Sequence, residues 1–371
     1  MIIDTTLREG EQRYGVYFSL DAKKKIFSLL VALGVEEIEI GWISPDPDLS
    51  RFISWARERA GSSRLSLWCP ARKTDLDIAC SLKPDRVNIG VPISIGFGLE
   101  HERSMNHMKR VLNHASDLEL EYISVGFENA FERMAQAFNA AETALINGAA
   151  RIRFSDTPGR STPLKIMDTV KAFNQRFDAP LAIHCHNDFG MATANAVCAL
   201  ALGADFVDTS VLGLGERAGI AATQQVIAHL CLEGNNTAVY RMNLLPELCR
   251  QVSREAGENI GRAEPVIGKD IFNCETGIHV QGLSQNPELF FPFDPQKTGT
   301  KIRIGLGKKS GRAAVAAVCD SLGPHLPEDV IHQLTSAVRA LSNERRRPLT
   351  TSEFYQLYRA ALSSAFKVMG V

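Results

Sequence analysis

Three short segments hold most of the residues whose types and spacing could do chemistry. The first, IIDTTLREGEQ (residues 2–12), begins with an apolar pair that predicts a buried strand and continues with Arg8, Glu9 and Gln12. Charged groups at the end of a buried strand are costly unless they are paired or bound to a metal. The segment is therefore either a charged loop or part of a functional site.

The second segment, AIHCHNDFG (residues 182–190), contains two histidines separated by one residue. Side chains alternate along a strand, so His184 and His186 point the same way. Two imidazoles and one carboxylate form a site for a divalent metal that leaves positions open for substrate. With Glu9 as the carboxylate, the sequence predicts a metal site formed by Glu9, His184 and His186.

The third segment, GLGERAG (residues 213–219), follows a strand-like stretch, DFVDTSV. Its glycines, Gly213, Gly215 and Gly219, would allow the backbone to approach a ligand closely. An ordinary turn is the alternative interpretation of this segment.

Apolar strands alternate eight times with helical patterns over the first two thirds of the chain, which predicts an α/β fold, a (β/α)8 TIM barrel. Predicted strands cover residues 2–5, 35–40, 65–68, 86–89, 122–125, 151–154, 181–185 and 206–209. Predicted helices lie near residues 20–33, 47–60, 74–82, 103–118, 131–147, 163–177, 192–202 and 220–232. In such a barrel the active site lies at the C-terminal ends of the strands. The residues expected there include Arg8, Glu9, Trp68, Glu128, Thr157, His184 and His186.

The alternation stops near residue 241, so we expect a barrel domain over residues 1–240 and a C-terminal extension over 241–371. The extension is predicted to contain a helix at 244–257, an irregular segment at 268–312 and terminal helices within 327–371. One terminal helix starts at Thr350, with Glu353 completing a capping box. A long irregular segment is usually functional, and this one contains His279.

Composition narrows the classes of partner. The chain has 371 residues, with 41 basic and 42 acidic side chains, a balance that gives no reason to expect nucleic acid or a membrane surface as partner. No signal-peptide pattern precedes the first strand, and no apolar run approaches the roughly 18 residues of a membrane span. Eight scattered cysteines without a C-x-x-C pair are typical of reduced thiols, so we expect a cytoplasmic protein.

The motifs DTTLREGEQ, HCHND.G and G.GERAG occur here together with a fourth, ETGIHVQGL…PFDP…IGLGKKSGR, at residues 275–312. In this combination the chain resembles the isopropylmalate synthase and homocitrate synthase family of acetyl-CoA-dependent TIM-barrel metal enzymes. Trp68 and the segment SVGFE (residues 124–128) resemble the homocitrate synthases of the nitrogen-fixation type. Leu212 and Ile220 are instead more like the lysine-pathway type.

This resemblance implies a condensation of acetyl-CoA with a 2-oxo acid, followed by hydrolysis of the thioester. A divalent ion (Mg, Mn, Zn, Co or Fe) at Glu9, His184 and His186 would bind and polarise the 2-oxo acid. Arg8 would stabilise the developing alkoxide, Thr157 would bind the substrate carboxylate, and Gln12 would be a nearby contact. For Arg8, an ion pair with Glu11 or Asp4 is the alternative interpretation.

The resemblance also implies that the loop with Gly213, Gly215, Glu216, Arg217 and Gly219 lies near acetyl-CoA. A salt bridge that only holds the loop is the alternative for Glu216 and Arg217. The acid and base residues would be Glu128 and His279, with His279 reaching the neighbouring subunit of a homodimer whose C-terminal regions are swapped. Relatives have a tyrosine where this chain has Phe290, so the proton relay is expected to differ.

The identity of the 2-oxo acid depends on the pocket. Arg72 or Lys73, just after the third strand, could bind a distal carboxylate; we predict that Arg72 does, which favours 2-oxoglutarate, and an ordinary surface arginine is the alternative. Trp68 would occupy space that a branched substrate needs. The alternatives are 2-isopropylmalate, citramalate, Re-type citrate or phosphonomethylmalate synthase, an HMG-CoA-lyase-like metal-dependent lyase, and a catalytically silent paralogue.

Overall fold

The computed structural model describes residues 1–93, 101–232, 240–275 and 291–368, without the side chains of His101 and residues 364–368. Contacts divide the chain into two compact units, Met1–Ile260 and Gly261–Val371. His279 and Phe290, which the sequence singles out, lie outside the described residues.

The first unit is built on eight parallel strands that close into a barrel in sequence order. Their bounds are β1 Ile2–Asp4, β2 Glu37–Trp42, β3 Arg64–Pro70, β4 Arg86–Pro92, β5 Ile123–Glu128, β6 Arg151–Asp156, β7 Leu181–Cys185 and β8 Phe206–Thr209. The last strand pairs with the first, which places Asp208 opposite Ile3. The predicted TIM barrel is confirmed.

Eight helices follow these strands and cover the barrel. They are α1 Leu20–Leu33, α2 Pro47–Arg57, α3 Lys73–Leu82, α4 His101–Asp117, α5 Met134–Ile146, α6 Pro163–Arg176, α7 Ala192–Ala201 and α8 Thr223–Leu232. Two begin later than the sequence suggests. A 3-10 helix at Ala130–Glu132 precedes α5. Residue 220 forms a β-bridge with His186 rather than starting α8.

The barrel interior contains an unusual number of charged side chains. In β2 the sequence EIEIGW alternates, and both glutamates, Glu37 and Glu39, are fully buried and paired with buried arginines of β6, Arg151 and Arg153. Most barrel interiors are filled with branched apolar residues. Here opposite charges on strands across the barrel supply the pairing that buried ions require.

The first unit extends to Ile260, beyond the boundary at residue 240 that the sequence suggests. The added part contains α9, Leu245–Ala256, which packs against α1. Its buried face includes Leu245, Leu248 and Val252. Burial of this amphipathic face explains why the helix belongs with the barrel.

The second unit contains a two-stranded parallel sheet of β9 (Asn273–Cys274) and β10 (Arg303–Ile304). Its helices are α10 Arg312–Leu322, α11 Glu328–Arg345 and α12 Thr351–Val368. The sequence analysis missed α10. The capping box before α12 is confirmed, because Thr350 Oγ1 accepts from the Glu353 N–H (3.2 Å) and Glu353 Oε2 accepts from the Thr350 N–H (2.8 Å).

The sequence analysis expected reduced cysteines and no membrane-spanning segment. All eight cysteines are free thiols. Across the described ranges, no helix combines the length and apolar character needed to cross a membrane.

Candidate active site

The loop after β1 is fixed by a buried carboxylate. Asp4 Oδ1 accepts from the Thr6 N–H (3.0 Å), and Asp4 Oδ2 accepts from the Thr223 hydroxyl (2.7 Å), which joins the loop to α8. Burial raises the pKa of Asp4 to about 6, against the lowering effect of these hydrogen bonds. The loop then leads Arg8 and Glu9 to the C-terminal mouth of the barrel.

Arg8 is 7 % exposed and is held on three sides. Its Nε donates to Glu39 Oε1 (2.8 Å), and its Nη1 donates to Glu9 and to Gln12 Oε1 (3.0 Å). The indole of Trp68 lies against the guanidinium, with 5.6 Å from Cζ to the ring centroid. Arg8 pairs with Glu39 and Glu9 rather than with Glu11 or Asp4. Among the described contacts, Nη2 remains available to a substrate.

Glu9, His184 and His186 come together at the mouth as the sequence predicts. One potential ligand atom from each lies within 4.8 Å of the others, and all three side chains are buried. His184 Nδ1 lies 2.8 Å from Asp208 Oδ2, and His186 Nδ1 lies 3.1 Å from the carbonyl oxygen of Asp156. An ionised carboxylate and a carbonyl only accept, so both Nδ1 atoms carry a proton, and Nε2 is the nitrogen through which each ring would bind a metal.

The charges around these three residues also fit a bound cation. The buried carboxylates are Glu9, Glu39 and Asp208, and the guanidiniums that pair with them are Arg8 and Arg153, which leaves one net negative charge. Burial raises the pKa of Glu9, but Arg8 and the two histidines outweigh it and hold that pKa well below its usual range. Two imidazoles beside a carboxylate are a ligand set that suits a divalent ion.

Glu128 ends β5 and precedes Asn129, whose φ of 56° turns the chain sharply. Burial raises the pKa of Glu128, and the nearby carboxylate of Glu216 raises it further. Thr157 lies beside this turn, since its Oγ1 accepts from the Asn129 N–H (2.9 Å). The Thr157 hydroxyl proton therefore stays available to a substrate.

Two glycines of the GLGERAG loop serve the loop itself. A Cβ on Gly219 (φ 84°) would collide with the Gly213 carbonyl, and a Cβ on Gly213 (φ 67°) would lie 2.9 Å from the Ile220 oxygen. Gly215 differs, because a Cβ there would lie 3.2 Å from Glu9 Oε1. The glycines therefore let the backbone of this loop approach itself and the side chain of Glu9 closely.

Arg217 bridges three loops at the mouth. It donates from Nε and Nη2 to the Asp188 carboxylate (2.9 Å each) and from Nη2 to the Thr157 carbonyl oxygen (2.7 Å). Glu216 Oε2 lies 3.7 Å from Arg217 Nη1. The Arg217–Asp188 ion pair holds the loop, which is the role that the sequence analysis gave as the alternative for Arg217.

The predicted specificity residues differ in their surroundings. Trp68 packs against Trp42 with the rings tilted by 55° and 4.1 Å between ring centroids, and a Cβ on Gly90 would collide with the Trp68 indole. Arg72 is exposed at the start of α3, and no ion pair involves it in the described part of the chain. Its role therefore stays a prediction.

The sequence analysis missed the side chains that support the site: Glu39, Arg153 and Asp208. The available signal was the alternation EIEI in β2 and RIRF in β6, which places like charges on one face of each strand. Strands that both face a barrel interior must match such charges with one another.

The fold and this site define a TIM-barrel protein with a candidate divalent-metal centre at its C-terminal mouth. Residues 1–248 match the family described as HMGL-like, and residues 266–346 match the homocitrate synthase post-HMGL domain-like family. The chain belongs to the homocitrate synthase and isopropylmalate synthase family.

Curated relatives extend over nearly the whole chain. Homocitrate synthase 1 of Nostoc sp. is 34 % identical over 365 residues, covering 96 % of each chain. 2-Isopropylmalate synthase 2 of Caldanaerobacter subterraneus is 33 % identical, covering 96 % of this chain and 94 % of its own. The 2-phosphonomethylmalate synthase of Streptomyces rubellomurinus is 31 % identical, covering 96 % and 97 %.

Among solved structures, the HMG-CoA lyase of Bacillus subtilis superimposes with a TM-score of 0.63 at 21 % identity. It covers 70 % of this chain and 94 % of its own. At this identity the likeness supports the barrel fold alone.

Proposed function

We propose that this protein is an acyltransferase that condenses acetyl-CoA with a 2-oxo acid and then hydrolyses the thioester, with 2-oxoglutarate as acceptor and homocitrate as product. The observation that carries the proposal is the grouping of Glu9, His184 and His186 beside Arg8 at the barrel mouth. Family membership supports the same reaction type. The names of the relatives differ in the product, so the acceptor rests on the predicted pocket.

Glu9, His184 and His186 would hold the divalent ion. When bound, that ion supplies a Lewis acid for the ketone of the 2-oxo acid. Arg8 would direct its Nη2 donor at the oxygen that gains negative charge, while its other donors stay engaged with Glu39, Glu9 and Gln12.

Glu128 would take a proton from the acetyl methyl group, whose carbon then bonds to the ketone carbon. A base with a raised pKa holds that proton better than an ordinary carboxylate, and burial and Glu216 raise the pKa of Glu128. Thr157 would donate its hydroxyl to the acceptor carboxylate. Water then cleaves the thioester, releasing free CoA and the hydroxy diacid or triacid.

We also propose that the protein is a homodimer with swapped C-terminal regions, in which His279 of one subunit assists proton transfer in the site of the other. Arg217 and the GLGERAG loop would position acetyl-CoA beside Glu9.

The test is a panel of 2-oxo acids with acetyl-CoA and Mn²⁺ or Mg²⁺, following free thiol. We expect thiol release only when acceptor, acetyl-CoA and metal are all present, and at the highest rate with 2-oxoglutarate. Preference for 2-oxoisovalerate, pyruvate, oxaloacetate or a phosphonate-bearing acceptor would retain the reaction class and refute the acceptor. Thiol release that needs no acceptor would refute the condensation.

A further inference from the structure

Two arms reach the candidate metal site from the two strands that flank β1. One arm runs from Glu9 to Arg8 and on to Glu39 of β2. The other runs from His184 to Asp208 of β8, where the imidazole Nδ1 lies 2.8 Å from the carboxylate. Neither arm alone explains how His184 and Arg8 are held at a fixed distance from each other.

One buried side chain touches both arms. Arg153 of β6 is 3 % exposed; its Nη1 lies 3.4 Å from Glu39 Oε2, and its Nε lies 3.2 Å from Asp208 Oδ2. The contacts form a continuous chain from Arg8 through Glu39, Arg153 and Asp208 to His184. We propose that Arg153 is a positioning residue, which fixes His184 and Arg8 relative to each other by joining Asp208 to Glu39.

The neighbouring strand packs against this bridge. Gly126 of β5 pairs with Arg153 in the sheet register, and a Cβ there would lie 3.6 Å from Arg153 Cδ. The planar guanidinium can contact two carboxylates at once through different nitrogens, whereas a lysine ammonium is a single point of charge. Arg153→Lys therefore keeps the charge and removes the bridge.

The inner layer of the barrel offers a matched control. Arg151 is also fully buried and on β6, and it donates to Glu37 (2.7 and 3.0 Å), Ser124 (3.0 Å) and Asn88 (2.9 Å). None of these partners is a candidate metal ligand. Arg151→Lys should therefore disturb a buried ion pair without changing the metal site.

The inference rests on the metal site of the proposed function, so the experiment measures metal binding without any reaction. The wild-type protein, Arg153→Lys and Arg151→Lys are freed of metal and titrated with Co²⁺, with the affinity and the visible absorption spectrum both recorded. Loss of support behind a metal ligand typically lowers affinity about 10- to 100-fold. We expect this loss and a changed spectrum for Arg153→Lys, and less than about a threefold change for Arg151→Lys.

The results separate the two claims. If the wild type binds no Co²⁺, the metal site itself is wrong. If the wild type binds but Arg153→Lys keeps its affinity and spectrum, Arg153 has no positioning role. Arg153→Met provides a second variant: it removes a positive charge near the cation, so a purely electrostatic role would make binding tighter. Tighter binding by Arg153→Met would overturn the proposal, and weaker binding would support it.

Discussion

Substitution of Asp4 by asparagine should stabilise the protein increasingly as the pH rises. The pKa of Asp4 is raised from 3.8 to about 6 by burial, so its ionised form is disfavoured in the folded state. Because the folded pKa exceeds the unfolded one, stability is full below about pH 4 and is lost as the pH rises through about 6. Asparagine carries no charge and can still accept from the Thr6 N–H.

The size of the effect follows from the two pKa values. The ionisation penalty is about 1 kcal/mol at pH 4.5 and about 3 kcal/mol at pH 7.5, which is a change of about 2 kcal/mol across this window. For the 260-residue unit, an unfolding entropy of about 2.1 cal/mol/K per residue converts this change to about 3–4 °C in Tm.

The assay is thermal unfolding of metal-free wild type and Asp4→Asn at several pH values between 4.5 and 7.5. We expect the Tm difference, variant minus wild type, to grow by about 3–4 °C across the series. A difference that stays constant, or one that shrinks with rising pH, would refute the raised pKa of Asp4. Asp46→Asn is a suitable control, because Asp46 caps α2 at an exposed position.

Three further predictions concern the proposed chemistry. Glu128→Gln should lower kcat by about 10²- to 10⁴-fold with little change in KM for the acceptor, because a general base is lost. Wild-type activity should rise with pH through a pKa above 4.5, since the pKa of Glu128 is raised. An unchanged kcat in Glu128→Gln would show that Glu128 takes no part in the reaction. Arg72→Ala should lower kcat/KM for 2-oxoglutarate about 10- to 150-fold and leave kcat/KM for pyruvate nearly unchanged. Lys73→Ala is the control. Equal losses of kcat/KM for the two acceptors would exclude a contact between Arg72 and the distal carboxylate. Mixing inactive His279→Ala with inactive Glu9→Ala subunits should restore part of the activity if His279 acts in the partner's site, and verified heterodimers without activity would contradict it.

Sequence patterns predicted the barrel because strand and helix periodicities repeat regularly. Strands β7 and β8 match the predicted residues at both ends, and the metal candidates follow from the alternation His184-Cys185-His186 at a strand end. The capping box at Thr350 likewise depends only on residues within one helical turn. These features depend on neighbours in the sequence, so the sequence alone was enough to find them.

Features that depend on distant contacts were not predicted. The bridge from Arg153 to Glu39 and Asp208 joins three strands, and no local pattern shows which charges meet across the barrel. Helix α10 was missed because it follows a glycine-rich stretch that was interpreted as irregular throughout. The contact of Gly219 with Gly213 of its own loop was not predicted either, and its place near acetyl-CoA stays a prediction.

The most direct test of the central claim is anomalous diffraction from crystals grown with Mn²⁺. The account predicts one strong peak at the barrel mouth, roughly 2.0–2.2 Å from His184 Nε2, His186 Nε2 and a Glu9 carboxylate oxygen. A well-ordered site without a peak there, or a peak coordinated by other residues, would contradict it.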